Sequence, residues 1–134
     1  MVERKGIYSI ETVLSKTLFI DKKEGKKQKV CFDGEMINMA SQRYQVFKTK
    51  GIVCCKCGIQ GIHFIMERHY PHKGKPEGPF HFNLYAIDKE GSEVLMTKDH
   101  IIPKSKGGKD FLNNFQTMCE PCNANKGDNL CHSE

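Results

Sequence analysis

Asp99, His100, Asn114 and Asn123 stand within one short stretch of the chain, with Cys119 and Cys122 just before the last of them and Lys126 just after it. A second Cys-x-x-Cys lies upstream at Cys54 and Cys57. Two such knuckles supply four soft thiolates, the ligand set of a closed tetrahedral zinc site whose role is structural. Asp99, His100 and Asn123 form a different set. A carboxylate and an amide oxygen suit a hard divalent ion such as Mg²⁺ or Mn²⁺. A neutral imidazole, with an ordinary pKa of about 6.5, can take a proton from water. One metal to hold the fold and one to serve chemistry points to a nuclease.

The order and spacing carry a family resemblance. His100, Asn114 and Asn123 are separated by 13 and then 8 residues, inside Asp99-His100-Ile101-Ile102-Pro103, Gly107-Gly108, Asn114-Phe115 and Cys119-Glu120-Pro121-Cys122-Asn123. This resembles the HNH endonucleases, in the variant whose third letter is Asn, over residues 50–128. The resemblance implies a metal-dependent DNA endonuclease acting on double-stranded DNA and leaving 5′-phosphate and 3′-hydroxyl ends. It assigns His100 as general base, and Asp99 and Asn123 as ligands of the catalytic cation. Asn114, by the same resemblance, is not a ligand but ties down the loop that orients His100. Gly107 and Gly108 permit backbone geometry that other residues resist. Lys104, Lys106, Lys109 and Lys126 lie close enough in sequence to line the phosphate path.

Other residues of the same types have plainer readings. Cys55 sits inside the first knuckle, but two intervening residues let Cys54 and Cys57 face one ion, so Cys55 is left out. Cys31 and Cys131 read as ordinary thiols. His63, His69, His72 and His81 gather loosely around a long loop, where surface or core roles outweigh a second metal site. Asn125 is a weaker alternative to Asn123, being turned about 200° around a helix from it.

Composition fits this reading without establishing it. The chain has 134 residues, 38% of them hydrophobic and none of them Trp, so a modest core helped by a metal staple is expected. A net charge of +5 suits a polyanionic partner but is common elsewhere. Met1–Ile10 is charged and holds no apolar run, so no signal peptide is expected. The seven cysteines then read as reduced thiols and metal ligands rather than disulfides. No apolar stretch approaches membrane-spanning length. A monomer in the cytoplasm is expected, or in a host cell's cytoplasm if the chain is viral.

The expected fold class is α+β: a small ββα-metal core stapled by the four-cysteine zinc, with an N-terminal hairpin and helix. Residues 1–50 form that extension and 51–134 the nuclease core. In the extension, Ser15–Ile20 and Gln28–Phe32 read as hairpin arms around the charged segment from Asp21 to Lys27. Met39–Lys50 reads as a helix capped by Ser41, with Tyr44 and Phe47 on its core side and Gly51 at its end. In the core, Ile62–Glu67 reads as a strand and His69–Pro79 as a loop. Phe80–Ile87 and Val94–Asp99 read as a hairpin around Asp88–Gly91, running directly into His100. Pro103–Leu112 is a loop, Phe115–Met118 a strand, and a short helix beginning at Pro121 stops near Gly127. The alternative function is a non-catalytic zinc ribbon that binds nucleic acid. Such a module has no use for Asp99, His100 and Asn123 together, and the 61 residues between Cys57 and Cys119 exceed the usual ribbon separation.

Overall fold

The computed structural model describes residues 2–19, 28–71, 73 and 78–127. The fold is α+β. A five-stranded antiparallel sheet holds β1 (Val2–Tyr8), β4 (His63–His69), β5 (His81–Ile87), β6 (Glu93–His100) and β7 (Phe115–Cys119), in that spatial order. A separate hairpin pairs β2 (Lys29–Phe32) with β3 (Glu35–Asn38). Among the described residues the α-helices are α1 (Ile10–Leu14), α2 (Gln42–Lys50) and α3 (Glu120–Lys126), and two short 3-10 turns, Lys104–Lys106 and Leu112–Asn114, lie between β6 and β7.

Period-two patterning explains the sheet. Along β5, Phe82, Leu84 and Ala86 are buried, while His81, Asn83 and Tyr85 between them are partly exposed. The buried set packs on Tyr44 and Phe47 of α2 and on Phe32 of β2. Phe32 and Phe82 meet edge to face at 4.8 Å, and Tyr8 and Phe82 at 5.1 Å. The Tyr44 hydroxyl is not wasted in this core, since it accepts a bond from the Phe82 N–H at 2.9 Å. α2 ends at Gly51, whose φ of 98° favours glycine, whereas Ser41 holds the N-cap position without a side-chain cap bond.

Glu67, fully buried on β4, is satisfied by three partners. Arg4 Nε donates to it at 2.9 Å, Asn83 Nδ2 at 2.6 Å and the Tyr85 hydroxyl at 2.6 Å. Arg4 also forks onto Glu93 at 2.7 and 3.0 Å. A buried carboxylate demands such compensation. The network locks edge strand β1 to β4, β5 and the start of β6.

One N-terminal reading needs correction. The sequence placed hairpin arms at Ser15–Ile20 and Gln28–Phe32, but Ser15–Phe19 is not a strand, and the Asp21–Lys27 turn lies outside the described residues. β2 pairs forward instead, through Asp33 (φ 50°) and Gly34 (φ 87°), the two positive angles of a type I′ turn. The strand Val2–Tyr8 and the helix Ile10–Leu14, capped by Ser9, were not anticipated. Strand β1 joins β4 in the main sheet. Among the described residues, no helix is long and apolar enough to cross a membrane.

Candidate active site and metal centre

The first knuckle is a tight turn. Val53 and Gln60 bridge its ends, the Cys54 N–H donates to Ile59 O at 2.8 Å, and Gly58 turns the chain at φ 82°. The N–H groups of Lys56 and Cys57 both point at Cys54 Sγ, at 3.4 and 3.5 Å. The Cys55 N–H donates to Thr117 O at 3.0 Å, which docks the turn on β7. Cys119 ends β7 and Cys122 lies in the first turn of α3, with Pro121 between them. The ligand atoms of Cys54, Cys57, Cys119 and Cys122 all lie within 4.8 Å of one another.

This geometry fits zinc. Tetrahedral bonds of about 2.3 Å place sulfurs roughly 3.8 Å apart, and Cys57 Sγ is 3.7 Å from Cys119 Sγ. Burial opposes ionisation of Cys54, but the backbone N–H groups around it outweigh burial and bring its thiol down to about 6. Burial, then bonding among neighbouring thiols, pushes Cys119 and Cys122 up. Four sulfurs so close cannot all shed protons without a cation among them, so the cluster could hold a zinc ion. Among the described residues no other group of His, Cys, Asp or Glu clusters this way. His69 and His81 stand 6.4 Å apart ring to ring, while His72 and Cys131 lie outside the described residues. Cys31 is exposed.

The second site lies beyond the end of β6. Lys98, Asp99, His100, Pro103, Lys104, Asn123, Lys126 and Gly127 line an open cavity of about 280 Å³. α3 packs against β6, and Asn123 Nδ2 donates to Thr97 Oγ1 at 2.9 Å, which leaves the amide oxygen as the acceptor. Asp99 is buried and accepts from Gln116 Nε2 at 2.9 Å and from Lys126 Nζ at 3.0 Å. Lys126 also donates to the His100 carbonyl at 2.7 Å. Its ammonium therefore belongs to the wall of the cavity rather than to the open surface. The Asp99 and Asn123 side chains, a carboxylate and an amide, thus both belong to residues lining one solvent-open space. Asn125 is exposed on α3 and does not line the cavity.

The loop between β6 and β7 is held from within. Asn114 Oδ1 accepts from the Ile102 N–H at 2.9 Å, and its Nδ2 donates to the carbonyls of Ile102 and Lys109 at 3.1 and 2.9 Å. The Ile101 N–H donates to Asn114 O at 2.8 Å. Gly107 turns at φ 90°, and at Gly108 a Cβ would lie 1.7 Å from Ile102 O. Lys106 and Lys109 are exposed, and Lys104 Nζ lies 3.1 Å from Asp110 Oδ2.

Asp110 is the residue that sequence reasoning missed. Its Oδ1 lies 2.7 Å from His100 Nε2, while the His100 ring meets Phe115 edge to face at 4.8 Å. Hydrogen bonds from His100 and Lys104 hold the Asp110 carboxyl down at about 2. Sequence offered no signal for it, because only the folded loop brings its carboxylate to the imidazole.

The family model described as HNH endonuclease matches residues 88–132, a segment spanning Asp99, His100, Asn114, Cys119, Cys122, Asn123 and Lys126 but neither Cys54 nor Cys57. The match bears out the resemblance to the HNH endonucleases and points to nuclease activity in general. No curated protein and no solved structure matches the chain.

Proposed function

We propose that the chain is a metal-dependent endonuclease that hydrolyses phosphodiester bonds of double-stranded DNA. The observation that carries this reading is the meeting of Asp99, His100, Asn123 and Lys126 at one open cavity. Asp99 and Asn123 would hold a divalent cation, Mg²⁺ or Mn²⁺, which when bound offsets negative charge on the phosphate and the leaving oxygen. His100 takes the proton of the attacking water. Asn114 keeps the loop in the one geometry that presents His100. Lys126 balances the Asp99 charge and holds the His100 backbone, while Lys104, Lys106 and Lys109 offer positive charge to the DNA backbone. The four cysteines hold a structural zinc that clamps the first knuckle to β7 and α3. A zinc ribbon that only binds would need this clamp and nothing of the cavity.

The test is cleavage of a supercoiled plasmid with Mg²⁺ or Mn²⁺, followed by sequencing of the ends. The expected result is 5′-phosphate and 3′-hydroxyl ends, with activity abolished in Asp99→Ala. Asn123→Ala, which loses no charge, should regain part of its activity in excess Mn²⁺. Full activity of Asp99→Ala at ordinary metal concentration would contradict the ligand assignment.

A further inference from the structure

We propose that Asp110 is the positioning residue of the general base: its carboxylate fixes the His100 ring with the proton on Nε2, so that Nδ1 is the nitrogen that accepts the proton from water. This rests on the reading of His100 as base. An ionised carboxylate only accepts hydrogen bonds, so an imidazole nitrogen 2.7 Å from Asp110 Oδ1 must donate. A neutral imidazole has one N–H. If Nε2 carries it, the lone pair is on Nδ1. Asp110 remains ionised at any working pH, its carboxyl being held at about 2 by its bonds to His100 and Lys104.

The carboxylate is itself held from several directions. Lys104 Nζ binds its second oxygen at 3.1 Å. Gln42 Nε2, reaching from α2, donates to the Asp110 carbonyl at 2.8 Å. Asn114 holds the preceding carbonyl, that of Lys109, at 2.9 Å. Helix α2 and the Asn114 clamp therefore set the backbone, Lys104 sets the carboxylate, and the carboxylate sets the imidazole. The Phe115 ring also packs edge to face on the imidazole, with the ring centroids 4.8 Å apart. Lys104 thereby gains a role beyond DNA contact, as a support for Asp110.

The experiment compares wild type with Asp110→Ala, Asp110→Glu and Asp110→Asn by two readouts. The first is steady-state cleavage. Asp110→Ala should lower kcat by roughly 10- to 100-fold, the usual cost of losing such a support. KM should stay level or fall, because Lys104 is released toward DNA. Asp110→Glu, which keeps a carboxylate on an exposed loop, should recover most of kcat. Asp110→Asn should not, because an amide can donate as readily as accept and so no longer selects the tautomer. The second readout is the ring itself: two-bond ¹⁵N–¹H spectra of histidine-labelled full-length protein, at a pH where imidazole is neutral. Wild-type His100 should be protonated on Nε2, and Asp110→Ala should show a mixture.

Wild-type kcat in Asp110→Ala would overturn the proposal, as would a His100 that stays protonated on Nε2 without the carboxylate. A wild-type protein that cuts no DNA yet shows the Asp110-dependent tautomer would overturn the nuclease reading and leave the Asp110–His100 assignment standing.

Discussion

Lys126 Nζ lies 3.0 Å from Asp99 Oδ2, with each side chain only 7% exposed, so the last turn of α3 is pinned to the end of β6 through the site itself. The lysine that sequence placed along the DNA path is a buried partner of the carboxylate that sequence placed on the metal. A pair like this is costly to break, because the buried Asp99 carboxylate would keep Gln116 as its remaining side-chain partner and lose its counter-charge.

Lys126→Ala should therefore lower unfolding stability by about 3 kcal/mol, the lower end for a buried pair because the cavity admits water to Asp99. Urea titration of the purified variant checks this. Unchanged stability, with a salt dependence of DNA affinity flattened by about one unit, would place Lys126 on phosphate instead.

Zinc removal should unfold the protein. Cys54 and Cys57 meet Cys119 and Cys122 from a distant part of the chain, and structural zinc binds with roughly 10–16 kcal/mol, more than a small domain's whole stability. Cys57→Ser and Cys122→Ser should give insoluble or unfolded protein, and metal analysis should find one zinc per chain. Pure, folded, active protein without zinc would contradict the clamp.

Gly108→Ala should disorder the catalytic loop. The new methyl would lie 1.7 Å from Ile102 O, a backbone atom held by Asn114 that cannot turn aside as a flexible side chain can. Cleavage should fall at least tenfold while circular dichroism of the sheet and zinc content stay as in wild type. Wild-type cleavage would mean that the loop opens in the working enzyme.

Asn114→Ala should speed hydrogen exchange at the Ile102 amide, which donates to Asn114 Oδ1 at 2.9 Å. Activity should fall about 10- to 100-fold, as for other supports of a catalytic group. Exchange at wild-type rate would show that the loop is held by its backbone bonds alone.

Where local signals agree, the chain is easily read. Asp88–Gly91 between two alternating runs marked the β5–β6 hairpin, and Pro121 with Gly127 marked both ends of α3. Thiol spacing marked the four-cysteine cluster, whose ligand atoms all lie within 4.8 Å of one another. The N-terminal region was misread because the lysine-rich segment from Asp21 to Lys27 looked like a turn, while Asp33-Gly34, the stronger hairpin signal, stood a few residues on. Val2–Tyr8 carries little apolar alternation of its own, since its place is set by Arg4 reaching buried Glu67 on β4. Asp110 and the burial of Lys126 were hidden for a related reason. Both follow from contacts across 10 or more residues of loop and helix, which no spacing rule encodes.

The most direct measurement of the central claim is cleavage by His100→Ala. The variant should keep its fold, its metal and its affinity for duplex DNA, because the proposed mechanism has His100 act on water and assigns it to neither metal. Its rate should fall by about 10² to 10⁴, the contribution of a general base. Cleavage at the wild-type rate by a folded His100→Ala protein would contradict the assignment outright, and loss of zinc or of fold would make the histidine structural.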